Sequence, residues 1–121
     1  MNRYIAVPLL TLTLLFTAGC FQKNSETPTE SQAWALIEQG ALILDVRTPE
    51  EYAQGHLDNA LLIPHSQITS RIDELGSNKD QQIVVYCAVG GRAAKAEKIL
   101  RDHGFSNILN AGGYDDMMEN K

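Results

Sequence analysis

The chain is poor in the residues from which most metal, cofactor and nucleic-acid sites are built. Its 121 residues include two cysteines, three histidines and one tryptophan. The cysteines and histidines lack the paired spacing of a zinc site, so no metal is predicted, and no motif implies an organic cofactor. The net charge is −5 and basic residues form no stripe, which argues against nucleic acid as a partner.

Long apolar runs are also absent, with one exception at the amino terminus. Arg3 precedes an apolar stretch over residues 4–16, and small residues follow it. This order is typical of a secretory signal over residues 1–19, because the run is shorter than the roughly 20 residues that span a bilayer. The sequence therefore predicts export, in a bacterium to the periplasm.

Cys20 is the first of the two cysteines. Ala18-Gly19-Cys20 resembles the lipobox of bacterial lipoproteins, although Thr17 stands where that pattern usually has Leu. A lipid on Cys20 would hold the protein on the cell envelope, and Phe21 favours the outer membrane. Residues 20–30 are polar and are predicted to be a flexible tether. Simple cleavage near Gly19 is the alternative, and a Cys20–Cys87 disulfide is a rival use of the two cysteines.

Residues 31–121 are predicted to form one α/β domain. Four short, continuously apolar runs alternate with helical patterns, and such runs are typical of strands buried on both faces. We expect a parallel sheet of four to five strands with helices on both faces, which makes three layers. The expected strands cover residues 41–44, 60–63, 83–86 and 107–109. The expected helices begin at Thr29 or Ser31, Thr48, Ser66, Arg92 and Tyr114.

Cys87 directly follows the third predicted strand, at the edge where parallel sheets carry their sites. The two glycines behind it let the chain curl so that backbone N–H groups point at the sulfur. The dipole of the following helix and the Arg92 guanidinium add positive potential and favour a thiolate. The stretch thus predicts a reactive cysteine in an anion-binding loop. The loop consists of Ala88, Val89, Gly90, Gly91 and Arg92.

A thiolate surrounded by amides can attack phosphorus, a disulfide, a carbon electrophile or a sulfane sulfur. The sequence places no histidine beside Cys87, as a thiol protease would need. It also provides no second cysteine nearby for disulfide exchange. Four residues separate Cys87 from Arg92, whereas tyrosine phosphatases have five. The shorter loop favours a single sulfur atom carried as a persulfide, and phosphatase or arsenate chemistry remains the less favoured alternative.

Four segments of the chain resemble single-domain rhodaneses, in the order that this family has them. They cover residues 44–52 (LDVRTPEEY), 55–64 (GHLDNALLIP), 86–94 (YCAVGGRAA) and 104–114 (GFSNILNAGGY). Residues 110–113 and the export signal are most similar to the small periplasmic rhodaneses of the phage-shock type. The likeness covers nearly all of the chain from Ser31 onward.

The resemblance implies a rhodanese-like fold and a monomeric sulfurtransferase. Cys87 would take a sulfane sulfur from thiosulfate or a similar donor, such as a persulfide, and residues 88–92 would hold that donor. A thiol, small or on a protein, or cyanide would accept the sulfur. Many members carry a basic residue directly after the cysteine, whereas this chain has Ala88 and Val89 there. A non-catalytic binding or regulatory module is the alternative.

Three other residues near the predicted strand ends are interpreted as structural. Asp45 ends the first strand, and Arg47 is expected to reach Glu50 or Glu51. His56 follows a glycine that ends a helix, and we expect it to fix its loop by a hydrogen bond.

Overall fold

The computed structural model of the protein describes residues 29–121. The predicted signal, the lipid site at Cys20 and residues 20–28 of the predicted tether lie outside the described residues. The first helix begins at Thr29, so residues 29 and 30 are helical. Within residues 29–121, no helix combines the length and apolar character needed to cross a bilayer.

Strands and helices alternate along the domain. The sequence order is α1 (Thr29–Glu38), β1 (Leu42–Asp45), α2 (Pro49–Gln54), β2 (Leu61–Leu62), α3 (Ile68–Arg71), β3 (Gln82–Cys87), α4 (Gly91–Asp102), β4 (Asn107–Gly113) and α5 (Tyr114–Glu119). The helix expected from Ser66 is interrupted, because 3₁₀ turns over His65–Gln67 and Ile72–Leu75 flank the single turn of α3.

The four strands of the described chain form one parallel sheet in the order β2-β1-β3-β4. This confirms the predicted α/β class. β4 is longer than expected: residues 110–113, beyond the predicted strand, continue beside β3, where Asn110 pairs with Val85 and Gly113 pairs with Cys87. The register shifts between these two pairs, because two steps along β3 correspond to three steps along β4.

Side chains of β3 alternate between two apolar cores, as the pleat of a strand requires. Ile83, Val85 and Cys87 lie in the core that α4 covers. Val84 and Tyr86 lie in the opposite core, which α1 and α5 cover. Helices therefore pack on both faces of the sheet, as predicted. Cys87 is the last residue of the α4-side row.

α2 starts with a capping box at Thr48, where the sequence predicts a helix to begin. The Glu51 N–H donates to Thr48 Oγ1 and the Thr48 N–H donates to Glu51 Oε1, both at 3.2 Å. Pro49 occupies the first helical position, where it needs no donor. This cap fixes Glu51 at the edge of the sheet that also carries Cys87.

Candidate active site

Cys87 is a free thiol at the carboxyl end of the central strand β3. The N–H of Gly90 donates to Cys87 Sγ across 2.9 Å. α4 begins at the next residue, so the sulfur lies at the positive end of a helix of 12 residues. The structure thus brings Cys87 and Gly90 together in the way expected for a sulfur anion. Residues 88–92 form the active loop.

Gly90 adopts a left-handed conformation, with φ 95° and ψ −19°. A side chain at this position would be strained, and its Cβ would lie 3.3 Å from the Cα of Gly112. Glycine therefore allows the turn that aims the amide of residue 90 at the sulfur. The expectation that a glycine lets the loop curl toward the sulfur is thus confirmed at Gly90.

The end of β4 supports the active loop from the side. The Asn110 side-chain amide donates to the Gly90 carbonyl at 3.3 Å, and the Gly112 N–H donates to Asn110 Oδ1 at 2.9 Å. A Cβ on Gly113 would lie 2.3 Å from the Ala88 carbonyl oxygen. Asn110, Gly112 and Gly113 were not among the predicted site residues. A sequence signal was available, since an Asn and two glycines lie among the four residues that follow the predicted strand over residues 107–109.

Replacing Gly113 with Ala should displace the active loop. The new Cβ would overlap the Ala88 carbonyl, which is backbone and cannot rotate away, although φ −105° and ψ 153° at Gly113 suit any residue. We expect Gly113→Ala to lower the rate at which Cys87 takes up sulfur by about 10²-fold, because misplacement of reacting groups by about 1 Å has that effect. Gly76→Ala strains the backbone at a remote turn, where φ is 81°, and is the control for a general loss of stability. Equal rates for Gly113→Ala and wild type would show that β4 does not position the loop.

The side chain of Cys87 has no exposed surface. Val89, at the tip of the active loop, is 88% exposed. A donor can therefore touch Sγ only after residues around the sulfur move. The sequence did not predict this burial, because a strand end can be open or covered with the same residues.

Arg92 forms a bidentate ion pair with Glu51. The distances are 2.6 Å from Nη1 to Oε1 and 2.9 Å from Nη2 to Oε2, with both side chains half-buried. The Arg92 hydrogen bonds hold the pKa of Glu51 at about 2, and the same bonds raise the pKa of Arg92. The pair is charged at any ordinary pH. The predicted role of Arg92 in holding the donor stays a prediction. In the structure its guanidinium binds Glu51.

Asp45 and Arg47 are buried together on the face opposite Cys87. Arg47 Nε and Nη2 donate to the Asp45 carboxylate, with Nη2 2.7 Å from Oδ2, and Nη2 also donates to the Gly55 carbonyl. The expectation that Arg47 reaches Glu50 or Glu51 is wrong. Asp45 lies two residues before Arg47, so the two side chains point to the same face of the chain and can pair. Glu51 is already paired with Arg92.

Tyr86, the neighbour of Cys87, connects this buried pair to the rest of the domain. Its hydroxyl donates to Asp45 Oδ2 at 2.6 Å and accepts from the Leu57 N–H at 3.1 Å. Burial, followed by the bond to Asp45, raises the pKa of Tyr86. Burial is the largest single influence on Arg47 and lowers its pKa, but the hydrogen bond to Asp45 and the Asp45 charge, together with Tyr86, outweigh burial and raise the pKa of Arg47. The network fixes the ends of β1 and β3 relative to each other.

The histidines take no part in a pair with Cys87. His56 stacks on Tyr52 with ring centres 3.6 Å apart, and its Nδ1 lies 2.9 Å from the Tyr52 carbonyl, in line with the expected loop-fixing role. His103 Nδ1 lies 2.9 Å from the carbonyl of Ile99, at the far end of α4. Over residues 29–121, no three His, Cys, Asp or Glu side chains are grouped as metal ligands.

Comparisons with known sequences identify the family of the chain. The family model of the rhodanese-like domain matches residues 29–120. The chain is 36% identical over 74 residues to the thiosulfate sulfurtransferase PspE of Escherichia coli strain K12, covering 61% of this chain and 71% of PspE. It is 36% identical over 90 residues to a sulfurtransferase of Allochromatium vinosum, covering 74% of this chain and 82% of that protein.

Further likenesses are to a part of a larger protein and to a solved structure. The chain is 39% identical over 82 residues to the tRNA uridine(34) hydroxylase of Erwinia tasmaniensis, but it spans 23% of that protein. A structure described as a rhodanese with anions from E. coli is 36% identical, with a TM-score of 0.60 over 63% of this chain and 89% of the other. Fold, loop and sequence agree, and the chain belongs to the rhodanese-like domain family.

Proposed function

We propose that this protein is a sulfurtransferase that carries the transferred sulfur as a persulfide on Cys87. The observation that carries the proposal is the Gly90 N–H aimed at Cys87 Sγ from 2.9 Å, at the amino end of α4. This arrangement suits a sulfur anion, whether a thiolate or a persulfide. The sulfurtransferases among the relatives support the same reaction class.

In the first half-reaction the Cys87 thiolate attacks the outer, sulfane sulfur of the donor. A new S–S bond forms to Sγ, and the S–S bond of the donor breaks. The electron pair of the broken bond leaves with the remainder of the donor, as sulfite from thiosulfate or as a thiolate from a persulfide. The Gly90 N–H and the helix terminus then stabilise the persulfide anion.

In the second half-reaction a nucleophilic acceptor removes the sulfur. A thiolate or cyanide attacks the outer sulfur of the Cys87 persulfide, and the bond to Sγ breaks. The electron pair returns to Sγ, so the thiolate is regenerated and no external oxidant or reductant is needed. Each half-reaction requires the active loop to open, because Sγ is covered.

The mass of the intact protein tests this proposal. Treatment with a sulfane donor should add one sulfur atom, peptide mapping should place it on Cys87, and a thiol acceptor or cyanide should remove it again. Cys20→Ser protein should behave in the same way. Absence of any gain with thiosulfate and with organic persulfides, on a thiol that alkylation shows to be reduced, would overturn the proposal.

The complete burial of Cys87 favours a second candidate, a non-catalytic rhodanese-type binding module. Such a module would keep its loop closed, and Cys87 would serve as a small core residue. The two candidates differ in the same experiment, because a module with a closed loop gains no sulfur. The rate of alkylation of Cys87 in the folded protein measures the opening directly.

We further propose that the protein is exported and anchored by a lipid on Cys20. The support is the sequence alone: the apolar run over residues 4–16 and the small residues before Cys20. In a bacterium that expresses the protein, radiolabelled palmitate should appear on wild type and not on Cys20→Ser. Equal labelling of both proteins, or of neither, would contradict lipidation at this residue.

A further inference from the structure

We infer that the preferred sulfur donor is an organic persulfide with an uncharged substituent rather than the thiosulfate dianion. The inference rests on the proposed sulfurtransferase function and names the substrate class of that same site. It follows from the ion pair of Arg92, the side chain at the tip of the active loop, and the charges around the loop.

The one basic side chain of the active loop is already neutralised. Both Nη atoms of Arg92 bind both carboxylate oxygens of Glu51, at 2.6 and 2.9 Å. The pair uses two of the five N–H groups of Arg92, and Glu51 balances the charge of the guanidinium. A dianionic donor that binds Arg92 would therefore meet a neutral ion pair rather than a net positive charge.

The tip of the active loop offers an apolar surface. Val89 is 88% exposed, and within residues 29–121 it is the most exposed of the large hydrophobic side chains. Ala88, the other residue between Cys87 and the glycines, also lacks a polar side chain. A donor that enters over this tip contacts methyl groups. These pack favourably against an alkyl substituent on the donor sulfur, but they offer no hydrogen bond to a sulfonate.

Acidic side chains outnumber basic ones in the helix first turns at the carboxyl edge of the sheet. The first turns of the helices that follow β1, β3 and β4 carry four acidic residues and one basic residue: Glu50, Glu51, Asp115, Asp116 and Arg92. Lys95 lies one turn further along α4, and His65 follows β2. Since Arg92 and Glu51 cancel, the remaining first-turn charges repel an approaching dianion.

The positive potential that remains fits one sulfur anion. The amino end of α4 is equivalent to about half a positive charge, and its effect falls off within a turn. The Gly90 N–H applies it directly at Sγ. This suffices to stabilise a persulfide formed on Cys87, but it does not balance two charges on a donor outside the loop.

The reaction with this donor class is balanced without a further reactant. The Cys87 thiolate attacks the outer sulfur of R–S–S⁻, the donor S–S bond breaks, and R–S⁻ leaves with its electron pair. Cys87 then holds the outer sulfur as Cys–S–S⁻. The leaving thiolate and the attacking thiolate carry the same charge, so no charge accumulates at the loop.

Two donors with the same two-carbon chain and different charge test the inference. The persulfide of 2-mercaptoethanol is uncharged apart from its sulfur, and the persulfide of 2-mercaptoethanesulfonate carries a sulfonate in place of the hydroxyl. Loading of Cys87 is followed by mass at low ionic strength, with thiosulfate as a third donor. Each rate is divided by the rate of N-acetylcysteine amide with the same donor, which removes intrinsic reactivity. We expect the normalised loading rate with the persulfide of 2-mercaptoethanol to exceed the rates with the sulfonate donor and with thiosulfate by about tenfold or more.

A charge placed at the loop tip should reverse the preference. Val89→Lys should raise the normalised rates for thiosulfate and for the sulfonate donor by roughly five- to tenfold at low salt, and added salt should reduce the gain. Gln39→Lys adds the same charge just beyond α1, at the other end of the sheet, and serves as the matched control. It should leave the ratio of the three rates unchanged.

The outcomes separate this inference from the proposed function. Loading by thiosulfate as fast as by the persulfide of 2-mercaptoethanol would overturn the inference and leave the sulfurtransferase function intact. An unchanged ratio in Val89→Lys would also overturn it, because the tip would then not select the donor. Loading by none of the three donors would overturn both.

Discussion

Cys87→Ser protein will gain no sulfur from any donor, and its sulfurtransferase activity will fall by at least about 10³-fold, as expected when a nucleophile that forms a covalent intermediate is lost. A hydroxyl at this position is not ionised at neutral pH and forms no stable equivalent of a persulfide. The reaction would lose its carrier rather than an aid to binding. The measurements are intact mass after donor treatment and the rate of thiocyanate formation from cyanide.

The fold should be unaffected by this substitution, which makes the loss of activity interpretable. Serine is slightly smaller than cysteine, and its hydroxyl can accept the Gly90 N–H that Sγ accepts at 2.9 Å. The buried oxygen thus keeps a partner, and we expect the unfolding free energy to change by about 1 kcal/mol or less. A Cys87→Ser protein that unfolds at the wild-type urea concentration yet still gains sulfur would show that another group carries it.

The sequence predicted the sheet and the position of Cys87 for reasons that are local. Strand runs such as residues 83–86 are apolar at every position, and only a sheet covered on both faces uses such runs. Thr48, Pro49 and Glu51 predicted the start of α2 by their side-chain chemistry, and the capping box is present. The two glycines behind Cys87 were expected to let the loop curl toward the sulfur, and Gly90 does so in a left-handed conformation.

The parts that the sequence did not predict depend on contacts between distant segments. Glu51 and Arg92 are 41 residues apart, and their pairing needs the capped end of α2 beside the start of α4. The extension of β4 needs β3 as a partner, because residues 110–113 contain turn-forming residues and look like a loop when read alone. Burial of Cys87 likewise depends on how the active loop packs. None of these follows from propensity or spacing.

Asp45→Asn should destabilise the domain more than any other single charge removal among the described ion pairs. Asp45 is 0% exposed and Arg47 5%, and the carboxylate accepts from the Arg47 side chain, the Arg47 N–H and the Tyr86 hydroxyl. Removing one partner of a buried pair leaves an uncompensated charge, and the expected loss of unfolding free energy is roughly 3–5 kcal/mol. Urea denaturation at 25 °C measures it. Glu74→Gln, which breaks the exposed pair with Arg71, is the control and should shift the midpoint little.

The remaining partners of Arg47 explain why the loss should be large. Without Asp45 the guanidinium keeps the Gly55 carbonyl and the ring of Tyr114, 4.5 Å from Cζ, and neither carries a full negative charge. If the buried charge is the cause, Asp45→Leu combined with Arg47→Met should recover much of the stability, because apolar residues of similar volume often replace buried pairs without loss. If the double variant is as unstable as Asp45→Asn, the hydrogen bond to Tyr86 is the dominant contribution instead. Since Tyr86 immediately precedes Cys87, that result would make the network a support of the active loop as well as of the core.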